Sequence, residues 1–509
     1  MLALLQFDSS SLPVVERMLE QDRLPNLADL RSRGDWRPLV PPSPLFQSAT
    51  YPSLYTGIEV GEHGLYSAFP WSAGDQRIRF MHRFPKPATI WDRLTGAGLS
   101  SLVMDPYQCW APRTINGAYV GGWQFQDRMV MQRRSVPRHQ ALRLSRRHGR
   151  SPELSDVYGR PSTSALLALR ESLLAAPGRA ADAACDLLDR REFDLVWINF
   201  SAAHKAGHHL WDPASVLEDQ PGPDQLSALE TGLEDVYAQV DAALGRIVDS
   251  LPSDAELIVF SPIGMGPNTS RADLLPEMVA AVVDPHKGRV GSGNGASAST
   301  PVWGLRDRVP VRLRSLAARA LPDRVVADVT TRLYVRANWK RTRAMAIPGE
   351  CHGYVRLNLA GRERDGIVEP EAADALMAEI ADGLMSFREP DGSPAIEEIE
   401  RTKELVGTCS CAAELPDLVI RWVDRPAMEV GTLTSARYGE VRRGGVGSGR
   451  SGHHNDDAWA LIVSDRSRAP DHDRATDLTD IGATVCASLG VDSEGLTGRS
   501  LLEPGAPRR

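Results

Sequence analysis

The chain has few cysteines and no long apolar run. Its six cysteines in 509 residues are scattered, and only Cys409 and Cys411 lie close together. A lone Cys-x-Cys pair indicates neither a disulfide framework nor a paired zinc-binding cluster, so ordinary reduced thiols and a cytoplasmic location are expected. No stretch reaches the roughly 18 uninterrupted apolar residues of a spanning helix, and we therefore expect no membrane partner.

A basic surplus is also absent. The chain carries 58 Lys and Arg against 66 Asp and Glu, a formal net charge of −8. Nucleic-acid-binding proteins normally carry a basic surplus, so we expect no nucleic-acid partner. No internal repeat, GxGxxG or Walker loop is present. Met1–Phe7 lacks the basic residues of a signal peptide and is expected to form a first strand. Nothing in the sequence indicates the oligomeric state.

Short apolar runs alternate with helical patterns along the chain. The clearest helical period runs from Leu233 to Leu251. This alternation predicts an α/β fold with a doubly wound, mostly parallel sheet and helices on both faces, in one domain over residues 1–509. The apolar runs that predict strands are Leu2–Phe7, Ser101–Met104, Leu195–Phe200, Leu257–Phe260 and Ala458–Val463.

Two segments interrupt this pattern. Residues 124–160 form an arginine-rich insertion, with eight arginines and no acidic residue from Arg128 to Arg150. Such a run is typical of a solvated helical surface, and the alternative is a lid over an anionic substrate. Residues 267–350 contain a loop rich in glycine and serine, Gly288–Ser299, and predict an inserted cap or subdomain.

Two histidines follow the predicted strand at Leu195–Phe200. His204 and His208 are four residues apart, with Gly207 between them. On a helical turn this spacing places both imidazoles on one face, within reach of one metal ion. Ligands of parallel sheets bind beyond the carboxyl ends of the strands, which is where this pair falls.

Asp8 and Thr50 each allow a structural and a functional interpretation. Asp8 follows the first strand and is either the N-cap of the next helix or a metal ligand. Thr50 precedes a proline at the start of a predicted helix and either caps that helix or is a nucleophile that a nearby metal ion activates.

A glycine-rich loop, Gly444–Asp457, leads into the last predicted strand. It contains His453 and His454 beside Arg450. Glycines allow backbone N–H groups to face an anion, so the loop is either a surface loop or an anion-binding segment. His454 is the predicted metal ligand, with His453 as the alternative.

A series of short motifs in fixed order resembles the alkaline phosphatase superfamily, and within it the type I phosphodiesterase/nucleotide pyrophosphatase branch. The resemblance extends over nearly the whole chain outside the two interruptions. The stretches that carry it are Asp8, Leu24–Gly34, Thr50–Gly57, the Gly-His pair ending at His208, Ser261–Met265, Gly353–Glu363, Gly452–His454 and Thr479–Leu502.

The resemblance implies a doubly wound sheet with a bimetallic site and a covalent ester on a hydroxyl nucleophile. It implies that Thr50 is the nucleophile, Asp8 a carboxylate ligand, and His208 and His454 histidine ligands. This chain departs from the family where an aspartate is replaced by His204. It departs again where an Asp-His pair is replaced by Pro262 and Ile263, which have no metal-binding side chain. The second metal site is therefore expected to be degraded.

The three histidines suit one divalent ion, zinc by preference, with an open fourth position. We therefore expect a metal-dependent hydrolase or transferase that acts on a small anionic substrate, a phosphate or sulfate-type ester. Thr50 would be the nucleophile, Asp8 its general base, and Arg450 and Asn268 the anion contacts. Two alternatives are a one-metal enzyme of different, non-phosphoryl chemistry and a non-catalytic protein that binds a ligand or partner. Fold alone does not choose among them.

Overall fold

The computed structural model describes residues 1–41, 46–126, 134–150, 160–283, 339–349, 351–443, 449–469 and 474–503, with four more positions between 325 and 331. The predicted Gly288–Ser299 loop and residues 444–448 of the glycine-rich loop lie outside these residues. So do residues 127–133 and 151–159 of the arginine-rich insertion.

An eight-stranded sheet forms the centre of the molecule. Its strand order is β2-β18-β9-β1-β8-β5-β6-β7, and the five strands from β9 to β6 are parallel. β18, β2 and β7 complete the two edges in antiparallel pairings. These strands are β1 Leu2–Gln6, β2 Asp35–Leu39, β5 Ser101–Met104, β6 Gly117–Gly121, β7 Arg134–Val136, β8 Leu195–Asn199, β9 Glu256–Ser261 and β18 Ala458–Val463.

Fourteen α-helices occur among the described residues. The predicted helical pattern around Leu233 forms α10, and α7 and α8 pack against it. The helices are α1 Leu12–Glu20, α2 Pro25–Ser32, α3 Thr50–Thr56, α4 Val60–His63, α5 Ile90–Gly96, α6 His139–His148, α7 Thr163–Leu188, α8 Ser201–Leu210, α9 Pro223–Glu230, α10 Gly232–Val248, α11 Leu275–Val283, α12 Ala373–Met385, α13 Thr402–Val406 and α14 Thr479–Leu489.

A second, smaller sheet has its own apolar core. Its order is β11-β12-β14-β13, all antiparallel, and α11 and α12 pack on it around Leu274, Ile380 and Ile420. Of the predicted insertion at residues 267–350, the described helix α11 packs on this sheet and Ala344–Ile347 is one of its strands, and the sheet continues to Trp422. The strands outside the large sheet are β3 Trp71–Ser72, β4 Arg77–Ile78, β10 Gly266–Pro267, β11 Ala344–Ile347, β12 Gly353–Leu357, β13 Ile396–Arg401, β14 Leu418–Trp422, β15 Thr432–Ser435, β16 Gly439–Arg442 and β17 Gly452–His453.

The family-like stretch Gly353–Glu363 carries a buried ion pair beside the smaller sheet. Arg356 and Glu363 form an ion pair of 2.8 Å with both side chains fully buried. The Trp71 indole N–H donates to Glu363 Oε2 at 2.9 Å, and Arg356 donates to the carbonyl oxygen of Leu415 at 2.6 Å. A buried charge pair is tolerated when its remaining donors and acceptors are satisfied, so this stretch has a structural role.

The predicted fold class is confirmed: the sheet is mostly parallel and lies between helices. All five predicted strands are present, and β1 is buried at every position because parallel strands in such a sheet are covered on both faces. Among the described residues, no helix is long and apolar enough to cross a membrane.

Candidate metal centre

Three neighbouring strands bring the predicted site residues to one edge of the sheet. β1 lies between β8 and β9, so Asp8 after β1 and His204 after β8 reach the same carboxyl edge. β18 runs antiparallel to β9, with Trp459 opposite Ser261. The start of β18 therefore lies at this same edge, and His454 just before it joins the other two residues.

His204, His208 and His454 form a compact group. One ring nitrogen from each lies within 4.8 Å of the others. His204 Nε2 and His208 Nε2 are 3.1 Å apart, and both rings are buried on α8, four residues apart. The structure thus brings together the three predicted histidine ligands.

The other ring nitrogen of each histidine faces an acceptor. His204 Nδ1 lies 3.2 Å from Asp8 Oδ2, and His208 Nδ1 lies 2.9 Å from the carbonyl oxygen of Gly452. His454 Nδ1 lies 3.4 Å from the carbonyl oxygen of Gly264. A carboxylate or carbonyl oxygen accepts only, so this hydrogen-bond network places the proton of each ring on Nδ1. The Nε2 lone pair of each ring is then left for a metal ion.

The electrostatic environment keeps these rings neutral. Burial lowers the pKa of His204, although Asp8 opposes the shift. Burial, with the Arg450 charge next in size, lowers the pKa of His208 well below its usual value. Burial and the neighbouring His204 likewise lower the pKa of His454. Neutral imidazole is the form that binds a metal ion.

Two glycines allow α8 to approach the histidine loop. A Cβ atom on Gly452 would lie 2.0 Å from the carbonyl oxygen of Gly207. A Cβ atom on Gly207 would lie 2.6 Å from Met265 Cγ. The Gly-His and Gly-Met motifs are therefore parts of one packing arrangement, and it brings the Gly452 carbonyl oxygen to His208.

Asp8 lies behind the histidines in a dense hydrogen-bond network. Gln6 Nε2 donates to Asp8 Oδ1 at 3.0 Å, and the Tyr51 hydroxyl donates to the same oxygen at 3.0 Å. Asn199 Nδ2 donates to Asp8 Oδ2 at 3.4 Å. Burial and Asp8 raise the pKa of Tyr51 well above its usual value, so its hydroxyl keeps its proton. The ligand role of Asp8 stays a prediction, and its contacts assign it to the orientation of His204.

The N-cap interpretation of Asp8 is not supported, because Ser11 occupies the cap position of α1. Pro262 and Ile263 are buried beside this network and bring no ligand atom. Ser261 Oγ instead donates to the Ile263 carbonyl oxygen at 2.9 Å and accepts from the Ser10 N–H at 2.9 Å.

Thr50 is the first residue of α3 and does not cap it. Ala49 occupies the N-cap position, with no side-chain cap bond. The Thr50 side chain is 1% exposed, and its Oγ1 has no hydrogen-bond partner among the described residues. The next residue, Tyr51, contacts both Asp8 and His204 Nδ1, the latter at 3.0 Å. Thr50 therefore presents an uncommitted hydroxyl next to the site.

The two predicted anion contacts differ in their surroundings. The charge of Arg450 acts on all three histidines and lowers each pKa. Asn268 Nδ2 donates to the Arg450 carbonyl oxygen at 2.7 Å, and Asn268 Oδ1 accepts from the Ser270 N–H at 3.0 Å. The Asn268 amide thus holds the loop of Arg450. Its contact with a substrate stays a prediction.

The structure brings His454 rather than His453 into the metal group. His453 Nδ1 accepts from the His454 N–H at 3.0 Å and contacts the Cys351 thiol. His453 would take the place of His454 in this group only if the loop were shifted by one residue.

The arginine-rich insertion lies at the far edge of the sheet. Its helix α6 packs on β6, β7 and α7. Arg143 and Arg147 both pair with the buried Asp186, at 3.2 and 2.5 Å. Beside them is an open cavity of about 380 Å³, lined by His139, Leu142, Arg143, Arg146 and Arg147. The lid interpretation stays a prediction.

Tyr51, Ser9 and Lys205 also lie at the site, although their residue types and spacing in the sequence did not indicate it. Ser9 Oγ lies 2.9 Å from the Tyr51 hydroxyl and 3.1 Å from His204 Nδ1. Lys205 is buried between the two histidines of α8, with Nζ 6.0 Å from the Tyr107 ring centre. Tyr51 stands inside the motif Thr50–Gly57, and that position was the one available signal for it.

The chain matches the profile of a known family and is similar to several solved structures. The profile of the type I phosphodiesterase/nucleotide pyrophosphatase family matches residues 2–426. No curated protein matches the chain. Among solved structures, the chain is similar to phosphonoacetate hydrolase from Sinorhizobium meliloti 1021 in complex with phosphonoformate, at 12% identity over 94% of each chain with a TM-score of 0.48.

It is also similar to murine ectonucleotide pyrophosphatase/phosphodiesterase 5, in an inactive form in complex with AMP, at 10% identity over 99% of each chain with a TM-score of 0.46. The human counterpart is 10% identical over 98% of this chain and 96% of that chain, with a TM-score of 0.42. The family profile covers most of the sequence, from the first strand to beyond β14. The chain belongs to the type I phosphodiesterase/nucleotide pyrophosphatase family.

Proposed function

We propose that this protein is a metal-dependent hydrolase of phosphate or sulfate-type esters that works with one zinc ion and the Thr50 nucleophile. One observation carries the proposal. The Nε2 atoms of His204 and His208 are 3.1 Å apart, while the Nδ1 atoms of both rings face acceptors. With the proton of each ring on Nδ1, the two Nε2 lone pairs at that distance repel each other unless a cation lies between them.

The spacing fits a zinc site. Zinc–imidazole bonds of about 2.0–2.1 Å at tetrahedral angles place neighbouring nitrogens roughly 3.3 Å apart. His454 supplies the third nitrogen. Zinc held by three neutral imidazoles keeps an open position and acts as a strong Lewis acid toward a substrate oxygen. Asp8 behind His204 and the Gly452 carbonyl oxygen behind His208 fix the ring orientations, as such partners do in metal sites generally.

The nucleophilic role of Thr50 is supported by the absence of other hydrogen bonds to its hydroxyl among the described residues. Its buried hydroxyl makes no cap bond and no side-chain bond to described residues. Attack of Thr50 Oγ1 on phosphorus would form a covalent ester, release the alcohol and leave water to hydrolyse that ester. Asp8 as the acceptor of the Thr50 proton is part of the proposal. The contacts of Asp8 reach Thr50 only through its neighbour Tyr51.

The anion is proposed to lie between Thr50 and Arg450. The Arg450 charge acts on the same three imidazoles that would hold the ion. A guanidinium group matches the geometry of a phosphate or sulfate through two parallel hydrogen bonds. Asn268 holds the Arg450 backbone at 2.7 Å and so fixes the loop that carries this charge.

The test is a paired measurement of zinc content and of turnover on p-nitrophenyl phosphate and sulfate mono- and diesters. We expect about one zinc per chain, with Thr50→Ala keeping the zinc and losing turnover by roughly 10³-fold or more. Thr50→Ser, which keeps a hydroxyl, is the matched control and should retain part of the activity.

Full activity of Thr50→Ala with zinc bound would remove the covalent mechanism and favour different one-metal chemistry. Absence of zinc after metal addition would remove the enzyme proposal altogether.

A further inference from the structure

The short turn that leads into α3 has a set of buried polar groups without partners. A 3₁₀ turn, Gln47–Ala49, continues directly into Thr50. We call Gln47–Thr50 the polar turn. Gln47 and Ser48 are 5% exposed and Thr50 is 1% exposed. Among the residues that the structure describes, Gln47 Oε1, Ser48 Oγ and Thr50 Oγ1 have no hydrogen-bond partner.

Polar side chains further along the same helix are satisfied. Ser53 Oγ lies 2.9 Å from His63 Nε2, and Thr56 Oγ1 donates to the Pro52 carbonyl oxygen at 2.6 Å. Buried polar groups in folded proteins are nearly always hydrogen-bonded. The polar turn therefore differs from the rest of α3, and its missing partners indicate a ligand.

Both ends of the polar turn are attached to the metal centre. Gln47 Nε2 donates to the His454 carbonyl oxygen at 3.4 Å. At the other end, Tyr51 contacts Asp8 and His204. In a 3₁₀ turn, residues three apart lie on the same side, so Gln47 and Thr50 share a face. Gln47 thus lies between the last histidine and the proposed nucleophile.

The hydrogen-bond chemistry of the turn selects the ligand. The His454 carbonyl oxygen accepts only, so the Gln47 amide nitrogen faces it and Oε1 points elsewhere as an acceptor. The hydroxyls of Ser48 and Thr50 can donate to the oxygens of an anion. Oε1 of Gln47 requires a donor, which the oxygens of a phosphodiester or sulfate ester do not provide.

We propose that Gln47 is a specificity-determining residue, which selects phosphorylated or sulfated ligands that carry an N–H or O–H group close to the ester oxygen. The proposal rests on the proposed function, since it places the anion at Thr50 and the donor group toward Gln47. It adds the substrate class: esters of amino or hydroxy alcohols.

Two probes of equal charge differ in whether their cationic group carries a hydrogen-bond donor. O-phosphoethanolamine and phosphocholine carry the same phosphate and the same cationic charge two carbons from the ester oxygen. The ammonium group has N–H donors, and the trimethylammonium group has none. We would measure their dissociation constants by calorimetry on the zinc-loaded full chain.

We expect the wild type to bind phosphoethanolamine roughly tenfold more tightly, the effect of one hydrogen bond to a charged donor. Gln47→Met, close in size but without the acceptor, should lose this preference, so that its two dissociation constants become equal. Gln47→Glu, which keeps an acceptor, should retain the preference. Gln140→Met on α6 is the matched control for the substitution itself.

Equal affinities in the wild type would overturn the proposal, and so would a preference that survives in Gln47→Met or the absence of binding by both probes. Turnover of p-nitrophenyl esters is measured separately. A Gln47-dependent preference without any turnover would mean that the proposed function fails while the ligand selection by Gln47 holds.

Discussion

The candidate site has two halves that lie at one sheet edge and differ in their balance of donors and acceptors. The histidine half is His204, His208 and His454, and the Asp8 half is Asp8, Ser9 and Tyr51. In the histidine half, one ring nitrogen from each of three histidines lies within 4.8 Å of the others, and the hydrogen-bond partners of the Nδ1 atoms favour three Nε2 acceptors there. In the Asp8 half, carboxylate oxygens meet N–H and O–H donors from Gln6, Tyr51 and Asn199.

Under the proposed function, this difference explains why the site would hold one metal ion. A cluster of acceptors alone is stable only around a cation, whereas a cluster with matched donors is complete without one. Where the family resemblance implies an Asp-His pair, Pro262 and Ile263 offer no ligand atom to the Asp8 half. Tyr51 and Asn199 donate to the lone pairs of Asp8 that a metal ion would otherwise use.

The largest effect is expected when a ligand is removed from the histidine half, because this half is the one that is proposed to need a cation. His208→Ala deletes one of three nitrogens, and we expect zinc affinity to fall by more than about 100-fold, since even partners behind the ligands are worth 10–100-fold. Competition with a chelator measures the affinity. His209→Ala, the next residue of α8, is the control and should bind zinc as the wild type does. Unchanged zinc binding in His208→Ala would disprove the three-histidine site.

A smaller effect is expected when the link between the halves is weakened. Asp8→Asn removes the charge 3.2 Å from His204 Nδ1. We expect zinc affinity to fall by roughly 10–100-fold, the usual effect of an orienting carboxylate. Asp105→Asn is the control, because Asp105 accepts from the backbone N–H groups of Trp123 and Gln124 and contacts no histidine of the site. A loss as complete as that in His208→Ala would instead make Asp8 a direct ligand.

Acid should act on His63 of α4, whose Nε2 lies 2.9 Å from Ser53 Oγ on α3, the helix of Tyr51. Burial lowers the pKa of His63 to about 3 from its ordinary 6.5. The unfolded chain therefore takes up the proton first, and stability is lost as the pH falls below 6.5. We expect this residue to account for about 2–3 kcal/mol of lost stability between pH 6.5 and about 4.5.

Denaturant unfolding at several pH values measures this loss of stability. His63→Gln should show a shallower decline on the acid side, while the exposed His139→Gln should follow the wild type. Parallel curves for the wild type and His63→Gln would show that His63 titrates normally.

The smallest effect is expected inside the Asp8 half. Tyr51→Phe removes one hydroxyl from a network in which Asp8 keeps Gln6 and Asn199 as donors. We expect a loss of about 1 kcal/mol in the free energy of unfolding and a change in zinc affinity of less than roughly threefold. Thermal unfolding and zinc competition measure the two quantities. A large loss of zinc would mean that Tyr51, rather than Asp8, orients His204.

The fold was predictable because its signals are local. The strands at Ser101–Met104 and Ala458–Val463 were predicted with the observed bounds, since a fully buried strand is a short apolar run between turn residues. The metal ligands were accessible for the same reason: His204 and His208 share one helical face, and His454 stands in a family-like motif.

The network behind those ligands was not predictable from the sequence. The partners of His208 and His454 are backbone carbonyl oxygens of Gly452 and Gly264, which no side-chain pattern reveals. Gln47 and Tyr51 are ordinary polar residues in the sequence. Only the tertiary arrangement shows that Gln47 Oε1 is buried without a partner among the described residues and that Tyr51 donates to Asp8.

The position of β18 links the histidine half to the assembly of the large sheet. This strand begins at Ala458 and inserts between β2 and β9, which come from residues 35–39 and 256–261. Until it arrives, β2 has no neighbour in the large sheet and His454 cannot approach His204. A folding intermediate that lacks β18 therefore has a gap beside β2 and only two of the three imidazoles in place. Under the proposed function, zinc occupancy would then report that β18 has inserted between β2 and β9.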